Sequence, residues 1–176
     1  MRFLKQFASL ALVLAVCAYS FAQGKSGWQV FSPKGSIFSV KIPAGTPKSQ
    51  QQTFNDVKAG RVDMTMYILV SGKNFYAMED SRAQNTPTRA ESPQILVDLQ
   101  NGFMGTSGTT LVSAQPTTFK GYVARTMMFK KNNMLVRGLA LMAGNHNLAF
   151  FATAEATKIK STEVTSFFDS IKVNGK

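Results

Sequence analysis

Cysteine is almost missing from these 176 residues: Cys17 stands alone, inside an apolar N-terminal stretch. A chain that loses that stretch keeps no thiol, so thiol catalysis, disulfide staples and cysteine metal clusters drop out together. Histidine is as scarce. His146 is the only one, and zinc sites built from His and Cys need several ligands. Ser-His-Asp catalysis needs a base positioned against its nucleophile, and His146, beside Gly144-Asn145, reads as a polar turn residue instead. Acids number 9 against 20 Lys and Arg. They lack the spaced oxygen ligands of a calcium loop, and the neighbours Glu79 and Asp80 read as solvated. Asp56, Asp63, Glu79, Asp80, Glu91 and Asp98 supply the carboxylates a hydrolase would need, but no spacing brings two of them together. Past the N-terminus there is no long apolar run, so no other segment is expected to span a bilayer.

What is present begins with a targeting signal. Arg2 and Lys5 precede the apolar run Phe7 to Phe21, and Ser20-Phe21-Ala22 offers small residues at the positions a signal peptidase reads. Cleavage is expected after Ala22, giving a signal peptide over 1–22 and a single domain over 23–176, secreted or periplasmic. Leu14-Ala15-Val16-Cys17 is the rival, a lipobox that would lipidate Cys17, but such motifs want a small residue where Val16 stands. Loss of the leader removes Arg2 and Lys5 and leaves 154 residues with 18 basic and 9 acidic side chains, a formal +9. That balance suits contact with anionic surfaces, although the basic residues are scattered without a block of five or six and also serve solubility.

The strongest structural signal runs from Gly121 to Ala154. Tyr122–Phe129, Leu135–Met142 and Leu148–Thr153 read as three antiparallel strands joined at Lys130-Lys131-Asn132-Asn133 and at Gly144-Asn145. A two-residue turn at Asn132-Asn133 sets Phe129 opposite Val136, Met127 opposite Gly138, Met128 opposite Arg137 and Thr126 opposite Leu139. Both faces of this meander are apolar, so both need covering. Two helices are the candidates. One opens at Ser92-Pro93 and carries Ile95, Leu96, Leu99 and Phe103 on one face until Gly102, Gly105 and Gly108 end it. The other bears Val164, Phe167, Phe168 and Ile171 at amphipathic spacing behind Ser161 or Thr162, with a last short strand near Val173.

Upstream, Trp28–Ser32 and Phe38–Ile42 are strands, the second closed by Pro43. Ala44 to Gln52 reads as a polar connector, Thr53–Val57 as a short strand, and Val62 to Val70 as a strand with five apolar residues on one face. Ser71 to Glu91 turns polar and reads as a long surface excursion with a helical turn near Phe75 to Asp80, the first place to look for a site. Leu111–Gln115 resumes strand and Pro116 to Gly121 turns.

Methionine suggests one further chemistry. Met64 and Met66 share a strand face while Met127, Met128, Met134 and Met142 crowd the meander; thioethers bind Cu(I), yet they also fill irregular cores. Gly102, Gly105 and Gly108 lack the Lys-Ser/Thr of a phosphate loop and follow a helix rather than a strand. Lys120-Gly121-Tyr122 starts like an RNA-recognition strand that Val123, Ala124 and Arg125 then break.

Three stretches together, the opening aromatic strand with Gly35 to Pro43 (G-x-I-F-S-V-K-I-P), the helix before the meander, and Phe167 to Val173 (F-F-D-S-I-K-V), resemble the PsbP-like fold family over roughly residues 28–173. That family includes an extrinsic photosystem subunit and small secreted bacterial domains. The resemblance implies an α+β fold, an antiparallel sheet flanked by helices as an α/β/α sandwich, and a non-catalytic accessory role; its motifs are packing motifs and transfer no site.

The expected function is therefore binding to an envelope protein or an anionic envelope component, with no nucleic acid, no membrane span, no cofactor, no catalytic residues and no metal ligands. Arg125, Lys130, Lys131 and Arg137 form the candidate basic contact surface. The alternatives are an extracytoplasmic enzyme using acids of the 71–91 stretch on an envelope polymer, and a small-ligand or metal carrier.

Overall fold

The computed structural model describes residues 27–174; the leader, its cleavage point and Cys17 lie outside them. A seven-stranded antiparallel sheet dominates the fold. Two meanders build it. The first is β3 (Lys48–Asp56), β4 (Gly60–Ser71) and β5 (Asn74–Ala83). Helix α1 (Ser92–Ser107) then crosses one face and delivers the second: β6 (Thr110–Phe119), β7 (Tyr122–Lys131), β8 (Met134–Ala143) and β9 (His146–Glu155). β9 docks beside β5 and completes the sheet in the order β3-β4-β5-β9-β8-β7-β6. A three-stranded sheet, β1 (Trp28–Phe31), β2 (Phe38–Pro43) and β10 (Lys172–Val173), joins α2 (Thr162–Asp169) on the opposite face.

Local rules account for much of this. The register places Phe129 against Val136, Met127 against Gly138, Met128 against Arg137 and Thr126 against Leu139. Asn132, at φ 53°, supplies the left-handed residue that the turn needs. Lys120 and Gly121 both take positive φ between Phe119 and Tyr122, the two-residue hairpin whose twist matches the strands it joins. α2 starts at Ser161, whose hydroxyl accepts from the Val164 amide, and buries Val164, Phe167 and Phe168. α1 has Pro93 in its first turn, but Ser92 does not cap it. Glu91 is the N-cap, but its carboxylate accepts from the Thr88 amide and hydroxyl rather than from the helix amides, and Ser92 donates to the Thr88 carbonyl. The helix runs through Gly102 and Gly105 and stops at Gly108, the one of the three in a left-handed conformation.

The two faces have separate cores. Under α1 lie Leu96, Leu99, Phe103, Met127, Phe129, Val136 and Phe151. Phe103 stacks on Phe151 at 4.6 Å and tilts against Phe129 at 4.7 Å. Under the small sheet and α2 lie Phe38, Val40, Ile42, Met78, Phe150 and Phe167, with Phe38 edge-on to Phe150 at 5.1 Å. Each such side chain contributes about 1.5–3 kcal/mol by leaving water. The second face is thus closed by strands as well as a helix, because β2 presents its own apolar row Phe38, Val40 and Ile42.

Three strand assignments differ from the sequence expectation. The stretch expected as a surface excursion with a helical turn contains β5, a central strand between β4 and β9. Its polar run Glu79-Asp80-Ser81 is buried because each side chain finds a partner there. Half of the expected connector before Thr53 belongs to β3, whose uniformly polar face sits at the sheet edge in solvent. β6 continues through Pro116, which is tolerated because an edge strand needs no donor on its outer side.

Candidate functional site

A cleft of about 460 Å³ opens at one end of the sheet. The β4–β5 turn brings Ser71 to Asn74, the end of β9 brings Glu155, the following connection brings Lys158, and the first turn of α2 brings Glu163. Gly27, Trp28 and Pro43 from the small sheet complete the lining, with Tyr76 at its base. Trp28 is 38% exposed and meets the fully buried Tyr76 edge-on at 6.2 Å. Lys73 donates to Glu155 at 3.1 Å, and Lys158 lies 3.8 Å from the same carboxylate. Asn74 donates to Glu163 at 3.4 Å.

The cleft's electrostatics follow from these contacts. The hydrogen bond from Lys73, then its charge and that of Lys158, hold the Glu155 carboxyl below its ordinary range. Glu155 is therefore an anion at neutral pH, an acceptor rather than a proton donor. Burial pushes the Tyr76 hydroxyl up, and the nearby Glu163 charge adds to it against the Asn74 hydrogen bond. Asn74 and Tyr76 fall in the 71–91 stretch that the sequence marked as the first place to look, whereas Trp28, Glu155, Lys158 and Glu163 come from distant parts of the chain and carried no signal of a site. Gly72 and Ser161 do mark a hairpin and a helix start, but neither says that the two meet.

A second polar cluster sits on the same face, where the small sheet meets β5 and β9. Asp80 accepts from the Ser36 hydroxyl at 2.5 Å and lies 2.6 Å from His146 Nδ1. Ser, Asp and His are all present, but in the wrong order for nucleophilic catalysis. There the imidazole stands between serine and acid and takes the hydroxyl proton; here Asp80 stands in the middle and Ser36 hydrogen-bonds a carboxylate. The arrangement is a latch tying the β1–β2 loop to β5 and β9. His146 is accordingly the first residue of β9 rather than a free turn residue.

Glu79, one residue away, points through the other face of the sheet, where Ser81 donates to it at 2.7 Å. Burial raises its carboxyl above the ordinary range, with the Asp80 charge adding and the Ser81 bond opposing. Glu79 and Asp80, expected to be solvated, are both buried and on opposite sides, so they cannot act as a carboxylate pair on one substrate. Among the described residues no group of three or more His, Cys, Asp and Glu is placed to hold a metal. Met64, Met66, Met127 and Met142 are buried apolar residues of the interior.

The four basic residues separate. Arg125 lies on the α1 side and donates to Gln100 at 2.7 Å. Arg137 lies on the other side, 4.4 Å over the Phe168 ring. Lys130 and Lys131 remain adjacent and exposed at the end of β7, where Lys131 reaches the Ser107 carbonyl near the end of α1 at 2.7 Å.

The solution structure of cyanobacterial PsbP from Synechocystis sp. PCC 6803 superimposes with a TM-score of 0.55 over 90% of this chain and 99% of its own, at 11% identity. The fold is PsbP-like. At that identity the likeness extends to the fold alone. A Pseudomonas aeruginosa protein of unknown function, PA94, described as a putative regulator, aligns more loosely, with a TM-score of 0.38, 9% identity and coverage of 80% of this chain and 91% of its own. No family model matches the chain, and no curated protein does. No described helix of this PsbP-like domain is long and apolar enough to cross a membrane.

Proposed function

We propose that this PsbP-like chain is a secreted or periplasmic binding protein without catalytic chemistry, whose partner is an envelope protein or an anionic envelope component. One observation carries the proposal: several acids and His146 are engaged in structural contacts while many cations face water. Asp80 and His146 hold the latch, Glu79 is sealed in the sheet, and Asp63 and Glu155 are bound by Arg61 and by Lys73 and Lys158. Lys34, Lys41, Lys48, Lys58, Lys130 and Lys172 stand exposed with no carboxylate within ion-pair distance among the described residues. A surface of this kind attracts anionic partners. Lys130 and Lys131 are the contact point favoured by their position at a hairpin end. Arg125 and Arg137 point to opposite faces and support the sheet.

The test is capture from source-cell envelope with the tagged full-length chain, at about 0.1 M and about 1 M salt, where electrostatic reach falls from about 10 Å to about 3 Å. A defined protein retained at both salts supports a specific partner. Anionic material released at high salt supports an electrostatic one. Recovery of neither, or capture undiminished by Lys130→Gln with Lys131→Gln, removes the partner or the contact point respectively.

A further inference from the structure

The cleft beside Trp28 carries charges of both signs. Two ammonium groups share a single carboxylate there: Lys73 is 3.1 Å and Lys158 3.8 Å from Glu155, which leaves that group one charge positive. Glu163, also in the lining, meets the Asn74 amide at 3.4 Å and has no ion-pair partner among the described residues. Trp28 stands at the rim as an apolar wall that is more than a third exposed, on a cleft of about 460 Å³. That size lies within the range of small-molecule sites, about 300–1,000 Å³.

We propose that this cleft binds a small zwitterion of amino-acid or dipeptide size with an apolar side group. The ligand carboxylate meets Lys73 and Lys158, its ammonium meets Glu163, and its side group covers Trp28. An anion without the ammonium leaves Glu163 unpaired and repelling it, and a cation without the carboxylate faces two lysines. Rejection of both singly charged relatives is therefore built into the same side chains that hold the zwitterion. The cleft is open and its ion pairs exposed, each worth little alone, so the dissociation constant is expected near 0.1–1 mM, about −4 to −5.5 kcal/mol. This site is separate from the Lys130 and Lys131 contact and stands or falls without it.

Trp28 is the only tryptophan, so its fluorescence reports on the cleft directly. The full-length protein is titrated with L-leucine, Leu-Leu, N-acetyl-L-leucine and L-leucinamide, with calorimetry alongside. Saturable binding of leucine or Leu-Leu, with both blocked compounds at least about tenfold weaker, supports the proposal, and the tighter of the two zwitterions identifies the size class. Glu163→Gln, an exposed change that leaves the core intact, weakens leucine about tenfold and brings N-acetyl-leucine level with it; Lys158→Gln does the same for leucinamide. The proposal is overturned if no compound gives a saturable signal or heat up to ~10 mM. It is equally overturned if a blocked compound binds as tightly as leucine, or if both variants bind leucine unchanged.

Discussion

Gly138 offers the sharpest test of how the α1 face is packed, because two opposing effects must be weighed to predict even the sign of the change. It sits in β8 between Met127 and Phe151, and a β-carbon there would lie 2.9 and 3.0 Å from Phe151 ring atoms and 3.3 Å from the Met127 methyl. The ring is not free to shift, since it stacks on Phe103 at 4.6 Å, nearly parallel. Gly138→Ala should restrict the unfolded chain, stabilising by about 0.4–1 kcal/mol. Overpacking of a filled core costs about 1–3 kcal/mol. The clash wins, for a net loss of about 1–2 kcal/mol, or a fall in Tm of about 2–8 °C at this chain length. Urea unfolding followed by circular dichroism reads this directly. Phe103→Ala alone should cost about 3–5 kcal/mol, but it frees space behind Phe151, so the added cost of Gly138→Ala in that background should fall by at least about 0.5 kcal/mol. A Gly138→Ala protein as stable as the parent, or an equal penalty with and without Phe103, refutes the reasoning.

Other consequences are open to measurement. The Glu79 carboxyl is raised in the folded state, so its contribution is fully present below the unfolded carboxyl value and is lost as pH rises through the folded value. Glu79→Gln should therefore match the parent in acid and exceed it in stability at neutral pH; parallel urea midpoints from pH 4 to 8 would contradict this. Ser36→Ala removes the donor to a buried carboxylate and should cost about 1.5–3 kcal/mol in urea unfolding. Ser161→Ala removes the α2 cap, whose long 3.5 Å bond places the loss near 0.5 kcal/mol, the low end of such effects.

Parts of the fold were legible and parts were not, for reasons that differ by element. The β7–β8 register follows from one turn and a period of two, so Phe129 faces Val136 with no information from elsewhere in the chain. The α2 stripe is as local. β5 was invisible because Glu79, Asp80 and Ser81 resemble a loop until Ser36, 44 residues upstream of Asp80, and His146, 66 downstream, are known to meet it. β3 hid behind a run of Gln and Ser that makes sense only on an outer edge. Arg125 and Arg137 lie on opposite faces, and the register already implied it: Arg125 shares the face of Met127, whereas Arg137 stands opposite Met128, so grouping them as one surface overlooked the alternation of a strand.

The sequence by itself determined the α+β class and which side-chain chemistries are scarce. Scarce thiol and imidazole, a basic excess, a strand meander and two amphipathic helices are all local or compositional properties. Tertiary structure alone decided which polar residues are interior, that the charges of Lys73, Lys158 and Glu163 share one cleft, and that Asp80 stands between serine and histidine. Secondary structure is written in neighbouring residues. The partner that makes a buried acid tolerable, or that completes the lining of a cleft, comes from wherever the chain happens to return.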